Sequence, residues 1–384
     1  MTEPMRILLP ELMTRDLSRR SFLGGLVGLG TAATLAACAA PGPSGSGGGG
    51  GGTGGLNIYT WGEYDDPEVL KAFASVDGGA TITLDSYGSN QEMIAKLVAA
   101  SGTSGYDIVV PTHQFIPQMV AAGLLEPLDH SQLPNMKNLD PTYMDQDFDP
   151  GNEYSVPKAW GSSGFVYDTT AITRELTSWA DFWDAAQKEA SGHLSLLEDP
   201  GELAWAYFLA NGIDINTTDP AHLEAYRTFI LEKIAPHIQA FESYPSGTIA
   251  QNGRVLAQAW NGDARQGILG NSDPERYRFV FPDEGCALFQ DNWAIVKGSP
   301  NIEAAHTFID YVLDPEESLA ELAYNGYHTG LAGIAEAAME AGVELPELIF
   351  FSEEQSAKLV FPALTDAEQT LVETYDELTA AAGQ

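Results

Sequence analysis

Several short stretches of this chain set a carboxylate beside an aromatic ring at what reads as the end of a β-strand. NIYTWGEY carries Trp61, Glu63 and Tyr64, LDSYGSN carries Asp85 and Tyr87, and AQAWNGDARQ carries Trp260 and Asp263. ALFQDNWAIV carries Phe289 and Asp291 at a strand start, AYNGYHTG carries Tyr327 in a turn, and LSLLEDPGELAW adds Asp199 and Glu202. Singly, each has a plain structural explanation: rings as core, and Asp199 as an N-cap with Pro200 first in the helix. Together they repeat one chemistry. Aromatic faces attract ammonium groups and cover methylene chains. Carboxylates add charge-assisted hydrogen bonds to each N–H. A flexible cation with several amines calls for that combination, with acids spaced along an aromatic trench. Asp199 can cap and bind at once, since a carboxylate has about four acceptor positions.

The elements that would position these residues alternate between strand and helix. Leu56–Thr60 reads as a strand, and DPEVLKAFAS as a helix capped by Asp66. Ala80–Asp85 is a second strand, and Ser89 with Glu92 forms a capping box for the helix that follows. YDIVVP is a third, fully apolar strand, followed by a short helix ending near Gly123. After a loop over 130–153, YSVPKAWGSSGFVYD predicts a strand, a Gly-Ser break and a second strand. A second alternating unit then runs through HLSLLE, IQAFE and RVLAQAW, and after YRFVFPDEG come the strand NWAIV and helices to the C-terminus. Apolar strands alternating with helices argue for a parallel, helix-covered α/β sheet, here in two halves. Ligands in such sheets sit at the carboxyl ends of strands.

Of 384 residues, 18 are basic and 54 acidic, a formal charge of -36. Nucleic acid is thereby excluded as a partner, because phosphate binding needs clustered Lys and Arg. The acids are spread along the chain, and most of them serve solubility. LSRRSFLGGLVGLGTAATLAAC joins the twin Arg19-Arg20 to an apolar run, Phe22 to Ala36, too short and Gly-rich to span a bilayer. It reads as a twin-arginine export signal over 1–37. LAAC, ending at Cys38, resembles a lipoprotein cleavage box, with Cys38 as the lipidated residue and 38–55 as a lipid-anchored, Gly-rich tether. The other cysteine is Cys286, so the mature chain has no intrachain disulfide.

From Leu56 to about Glu377 the chain resembles the spermidine/putrescine-binding proteins of polyamine ABC transporters, which are bacterial extracellular solute-binding lipoproteins. The resemblance is carried by IYTWGEY, SYGSNQEMIAKL, YDIVVPT, YSVPKAWG, TSWADFW, EDPGE, AWNGDA and NGYHTG. It implies a two-lobed, type II-like periplasmic-binding-protein fold with the ligand in a cleft between lobes joined by two crossing segments. The corresponding boundaries are 56–160 plus about 288–335 for one lobe and 161–287 plus about 336–384 for the other. Trp61, Glu63, Tyr64 and Tyr87 match a first-lobe wall, and Asp199 and Glu202 match amine-binding carboxylates. Trp260 matches a ring on the alkyl chain, Asp291 an acid for a terminal amine, and Tyr327 a hydroxyl contact. Asp263 matches an acid of the putrescine-binding members, and Ser243 is matched across a gap. The chain departs from the family pattern at Phe289, often Trp, at Gly62, often Thr or Ser, and at Asp85, where Ser is common. No cofactor or metal is implied. The implied partners are the polyamine, a cognate permease and, through the anchor, the outer face of the cytoplasmic membrane, with the protein a monomer.

Two rival classes differ in their signatures. A receptor for another small solute, such as another amine, a sugar or an amino-acid derivative, would pair its aromatic walls with neutral or mixed donors. A hydrolase could use paired carboxylates, yet no nucleophile elbow appears, and His113, His237 and His328 lack metal-ligand spacing.

Overall fold

The computed structural model describes residues 55–100 and 104–383. Arg19, Arg20, Cys38 and the glycine-rich stretch through residue 54 lie outside the described residues. The strands are β1 (Leu56–Trp61), β2 (Ile82–Tyr87), β3 (Ile108–Val109), β4 (Leu125–Glu126), β5 (Ser155–Asp168) and β6 (Leu194–Leu197). They continue with β7 (Ile238–Glu242), β8 (Leu256–Trp260), β9 (Tyr277–Val280), β10 (Cys286–Val296) and β11 (Leu359–Val360). Their order is β2-β1-β3-β10-β5-β8-β6-β7, with β4 and β11 also on β10 and β9 on β5. β1 is parallel to β2 and β3, and β6 is parallel to β7 and β8. The result is two α/β lobes. β10 and β5, antiparallel to each other, carry the chain between them.

Sequence signals fix the helices locally. Asp66, Ser178, Asp199 and Asp314 each cap a helix by accepting a backbone N–H, and Pro sits in the first turn after three of them. Ser89 accepts from Glu92 N, but Glu92 Oε2 accepts from Gly88 N, one residue before the expected partner. The predicted break inside YSVPKAWGSSGFVYD is absent, and β5 runs unbroken through Gly161–Ser163 while changing partners from β10 to β8 and β9. Gly161 is there for space: a Cβ would lie 2.5 Å from Asn261 Oδ1 and 2.8 Å from the Tyr327 ring. Glycine reads as a breaker by composition but acts here as a point of close approach.

One core gathers Leu56, Ile58, Phe73, Ile108, Trp293 and Phe308; the other gathers Phe165, Trp179, Phe182, Leu196, Phe208 and Tyr226. The first core also takes in Ile334, Ala338 and Ile349, so it extends past residue 335, because the helix Ile334–Glu340 buries its apolar face there. Ala367, Leu371 and Leu378 pack in the second core. Between Ile349 and Ala367 the chain pairs with β10 through β11, adding a third passage between the lobes to the two crossing strands.

The pairing of β5 with β10 is uneven in one place. Asp291 faces Ala159 and Asn292 faces Pro157, which leaves Lys158 as the extra residue of a bulge. Pro157 suits a bulge because it has no N–H to give the ladder. Lys158 Nζ lies buried, 2.7 Å from Asp65 and 3.5 Å from Glu321, and 4.6 Å from the centre of the Tyr64 ring. Burial pulls its pKa down, but the charges of Asp65 and Glu321 outweigh this and raise it. Nζ also donates to Tyr64 O at 3.3 Å, tying this buried cluster to the backbone of a cavity residue.

Candidate ligand-binding cleft

A cavity of about 140 Å³ lies where the carboxyl ends of β1 and β3 meet those of β6, β7 and β8, with β10 crossing its floor. One water needs roughly 10–15 Å³ measured in the same way, so the space suits a small organic molecule.

The first lobe supplies Trp61, Glu63 and Tyr64, all on the turn that leaves β1. The Trp61 indole N–H donates to Val110 O at 3.1 Å, which fixes the ring plane. Glu63 has φ 55°, a left-handed backbone that costs a non-glycine residue about 1 kcal/mol or more. The strain holds an exposed carboxylate on the cavity wall. Tyr64 is buried and donates to Asp291 Oδ2 at 2.8 Å, while Thr112 Oγ1 donates to Asp291 Oδ1 at 2.7 Å. Burial raises the Asp291 carboxyl to about 6 against the lowering effect of these two bonds and of Lys158. The Tyr327 ring meets both Tyr64 and Phe289 edge to face at 5.5 Å, giving a continuous aromatic wall.

Across the cavity, Asp199 Oδ1 accepts from Gly201 N at 2.8 Å and Glu202 N at 3.0 Å, capping the helix Pro200–Ala210. Asp199 also lines the cavity, so cap and wall are one residue. Burial raises its pKa. Glu202 is 5% exposed; Trp260 Nε1 donates to its Oε1 at 3.4 Å, and its Oε2 has no hydrogen-bond partner. Burial, then the charge of Asp199, lifts this carboxyl to about 8. Asp263 is lifted to about 7 by burial despite a 2.9 Å bond from the Tyr327 hydroxyl. Trp260 packs against both cores, and Ser243 lines the cavity with its hydroxyl donating to Glu198 at 2.5 Å.

Two expected residues stand elsewhere. Asp85 is on the sheet's edge strand, two residues short of its carboxyl end, exposed and paired with Lys96 at 2.9 Å and with the Tyr106 hydroxyl. It does not line the cavity, because one strand repeat of about 6.6 Å separates it from the strand end. Tyr87 is buried behind the wall: its ring meets Trp61 at 4.6 Å and its hydroxyl donates to Val110 O at 2.5 Å. Other lining residues carried no such expectation. Thr112 follows an apolar strand, Glu198 precedes Asp199, Tyr244 follows Ser243, and Trp205 folds back over Gly201, where a Cβ would lie 2.7 Å from its ring. Glu368 and Pro362 come from the third passage and the helix beyond it, far away in sequence. Among the described residues, no group of three or more His, Cys, Asp or Glu is placed to hold a metal ion.

Two α/β lobes enclosing a ligand-sized cavity define a protein that captures a solute. The chain matches the bacterial extracellular solute-binding protein family over residues 68–347. Spermidine/putrescine-binding periplasmic protein 1 of Haemophilus influenzae is 35% identical over 259 residues, covering 67% of this chain and 69% of that protein. The structure of the spermidine/putrescine ABC transporter substrate-binding protein PotD from Streptococcus pneumoniae aligns with a TM-score of 0.70 at 29% identity, over 85% of this chain and 99% of that one. The TpPotD lipoprotein of Treponema pallidum aligns with a TM-score of 0.70 at 25% identity, over 85% of this chain and 98% of that one. This chain belongs to the bacterial extracellular solute-binding protein family. It is an exported binding protein, not an enzyme.

Proposed function

We propose that this protein captures linear polyamines of the putrescine and spermidine type and delivers them to the permease of an ABC transporter. The observation that carries this reading is the charge of the cavity. Its lining holds seven acids, Glu63, Glu198, Asp199, Glu202, Asp263, Asp291 and Glu368, and among the described residues no Lys, Arg or His. Buried carboxylates without a counter-ion are costly, and a polycation supplies the missing charge. Asp291 with Tyr64 would hold one terminal amine, while Asp199, Glu202 and Asp263 would hold the others. Trp61, Trp260, Phe289 and Tyr327 would cover the methylenes, with Glu63 and Ser243 at the wall. The names of the Haemophilus and Streptococcus relatives support the ligand class. In calorimetry, putrescine and spermidine should bind with roughly micromolar affinity, about 8 kcal/mol, and a neutral hexose should not. Hexose binding without amine binding would overturn the proposal.

The same reading places the protein, as a monomer, on the outer face of the cytoplasmic membrane. The twin Arg19-Arg20 would direct export and lipid on Cys38 would hold it there, a reading supported by the similarity to the Treponema lipoprotein. Cys38→Ala should shift the exported protein from the membrane fraction to the soluble fraction. If the variant still sediments with membranes, the anchor is not at Cys38.

A further inference from the structure

We propose that Tyr244 and Gly62 form a latch across the mouth of the cleft that closes the lobes without help from the ligand. The inference rests on the two-lobed fold and not on which solute binds. Tyr244 lies in the second lobe, between β7 and the helix Ser246–Ala250, and Gly62 follows β1 in the first. The Gly62 N–H donates to the Tyr244 phenol oxygen at 3.0 Å, and that hydroxyl faces Tyr87 O at 3.4 Å. One side chain thus bridges the carboxyl ends of β1 and β2 from the opposite lobe.

Glycine at position 62 is explained by this contact. Its φ is not in the left-handed region, so the backbone there would accept alanine. A Cβ, however, would stand 2.8 Å from the Tyr244 phenol oxygen and 2.9 Å from Cζ, too close for both to stay. The missing side chain is therefore the socket for the phenol. Gln266 Nε2 also crosses the cleft, donating to Tyr324 O at 3.3 Å and Asn325 O at 3.1 Å. Two further contacts use acids of the cavity: the Tyr327 hydroxyl donates to Asp263 Oδ2 at 2.9 Å, and Gln91 Nε2 donates to Glu368 Oε1 at 3.0 Å. A cationic ligand competes for those carboxylates. The Tyr244 hydroxyl meets only main-chain groups of the first lobe and no cavity acid, so ligand entry takes nothing from it. Burial raises the Tyr244 pKa, so the phenol stays neutral at ordinary pH. Such a latch raises the closed fraction of the free protein and slows release of the bound solute.

The test is a double-mutant cycle on the purified protein, read in two ways. Stopped-flow kinetics give the rate of solute release, using putrescine as probe. A fluorophore pair, one on each lobe, gives the closed fraction with no ligand present. Tyr244→Phe keeps the ring and loses the bonds, and should speed release about 3–10-fold while lowering the closed fraction. Gly62→Ala should do at least as much in the wild-type background, and nothing further in Tyr244→Ala, where the clash is gone. Equal effects of Gly62→Ala in both backgrounds, or no effect of Tyr244→Phe on closure, would overturn the latch. Because closure is measured without ligand, a failure of putrescine to bind would count against the polyamine reading alone.

Discussion

Asp291→Asn and Glu202→Gln are each expected to weaken polyamine binding by about tenfold or more while the protein stays folded. A hydrogen bond to a charged group is worth about 1.5–3 kcal/mol, and a cation–π contact roughly 0.5–2 kcal/mol. The acids therefore dominate over Trp61, Trp260 and Tyr327. Stability should not follow affinity. Glu202 Oε2 is buried with no partner, and an amide there removes a desolvated charge while a Gln oxygen can still accept from Trp260. The melting temperature of ligand-free Glu202→Gln at pH 8 should hold or rise, whereas Asp291→Asn gives up one of the two bonds accepted from Tyr64 and Thr112 and should melt somewhat lower. Asp199→Asn extends the test, since asparagine also caps helices and can still accept from Gly201 N and Glu202 N. A residue that only capped would lose neither binding nor stability, whereas the proposed double role predicts weaker binding with an intact helix. Calorimetry beside thermal melts separates the outcomes, and unchanged affinity in all three variants would remove the site.

Acidification from pH 8 to pH 6 is expected to lower polyamine affinity by about 10–100-fold, by proton linkage. In the free protein burial lifts Glu202 to about 8, Asp263 to about 7 and Asp291 to about 6. A bound ammonium favours the carboxylate form of each, so binding lowers these pKa values and releases protons. Amines of the alkylammonium type titrate near 10 and keep their charge throughout. The sign for stability is opposite. Because the folded-state values lie above the unfolded ones, near 4, these acids stabilise the ligand-free fold at low pH. That contribution is lost as pH rises through 8. Ligand should therefore raise the melting temperature more at pH 8 than at pH 6. The measurements are affinity against pH and binding enthalpy in buffers of different ionisation heat. Proton uptake on binding, or an affinity flat with pH, would show that the ligand does not meet these carboxylates.

The amino-acid sequence by itself determined the local structure and the chemistry at the strand ends. Asp66, Ser89 and Asp199 cap the helices their spacing indicates, because a cap is a bond between near neighbours. Trp61, Glu63 and Tyr64 lie on the cavity wall because the chain turns directly after β1. Tertiary structure decided everything that depends on residues distant along the chain. Asp85 and Tyr87 read alike with the other aromatic and acid pairs, but edge position and one strand repeat left Asp85 with Lys96, and packing put Tyr87 behind Trp61. Gly161 reads as a break in a strand and Gly62 as a departure from the family pattern, yet each is small because a side chain from elsewhere fills its place. Glu368 enters the cavity on a helix more than 160 residues from Glu202. The raised pKa values of Glu202, Asp263 and Asp291 also arise only in the folded protein, since desolvation belongs to the assembled cavity and not to any one stretch of chain.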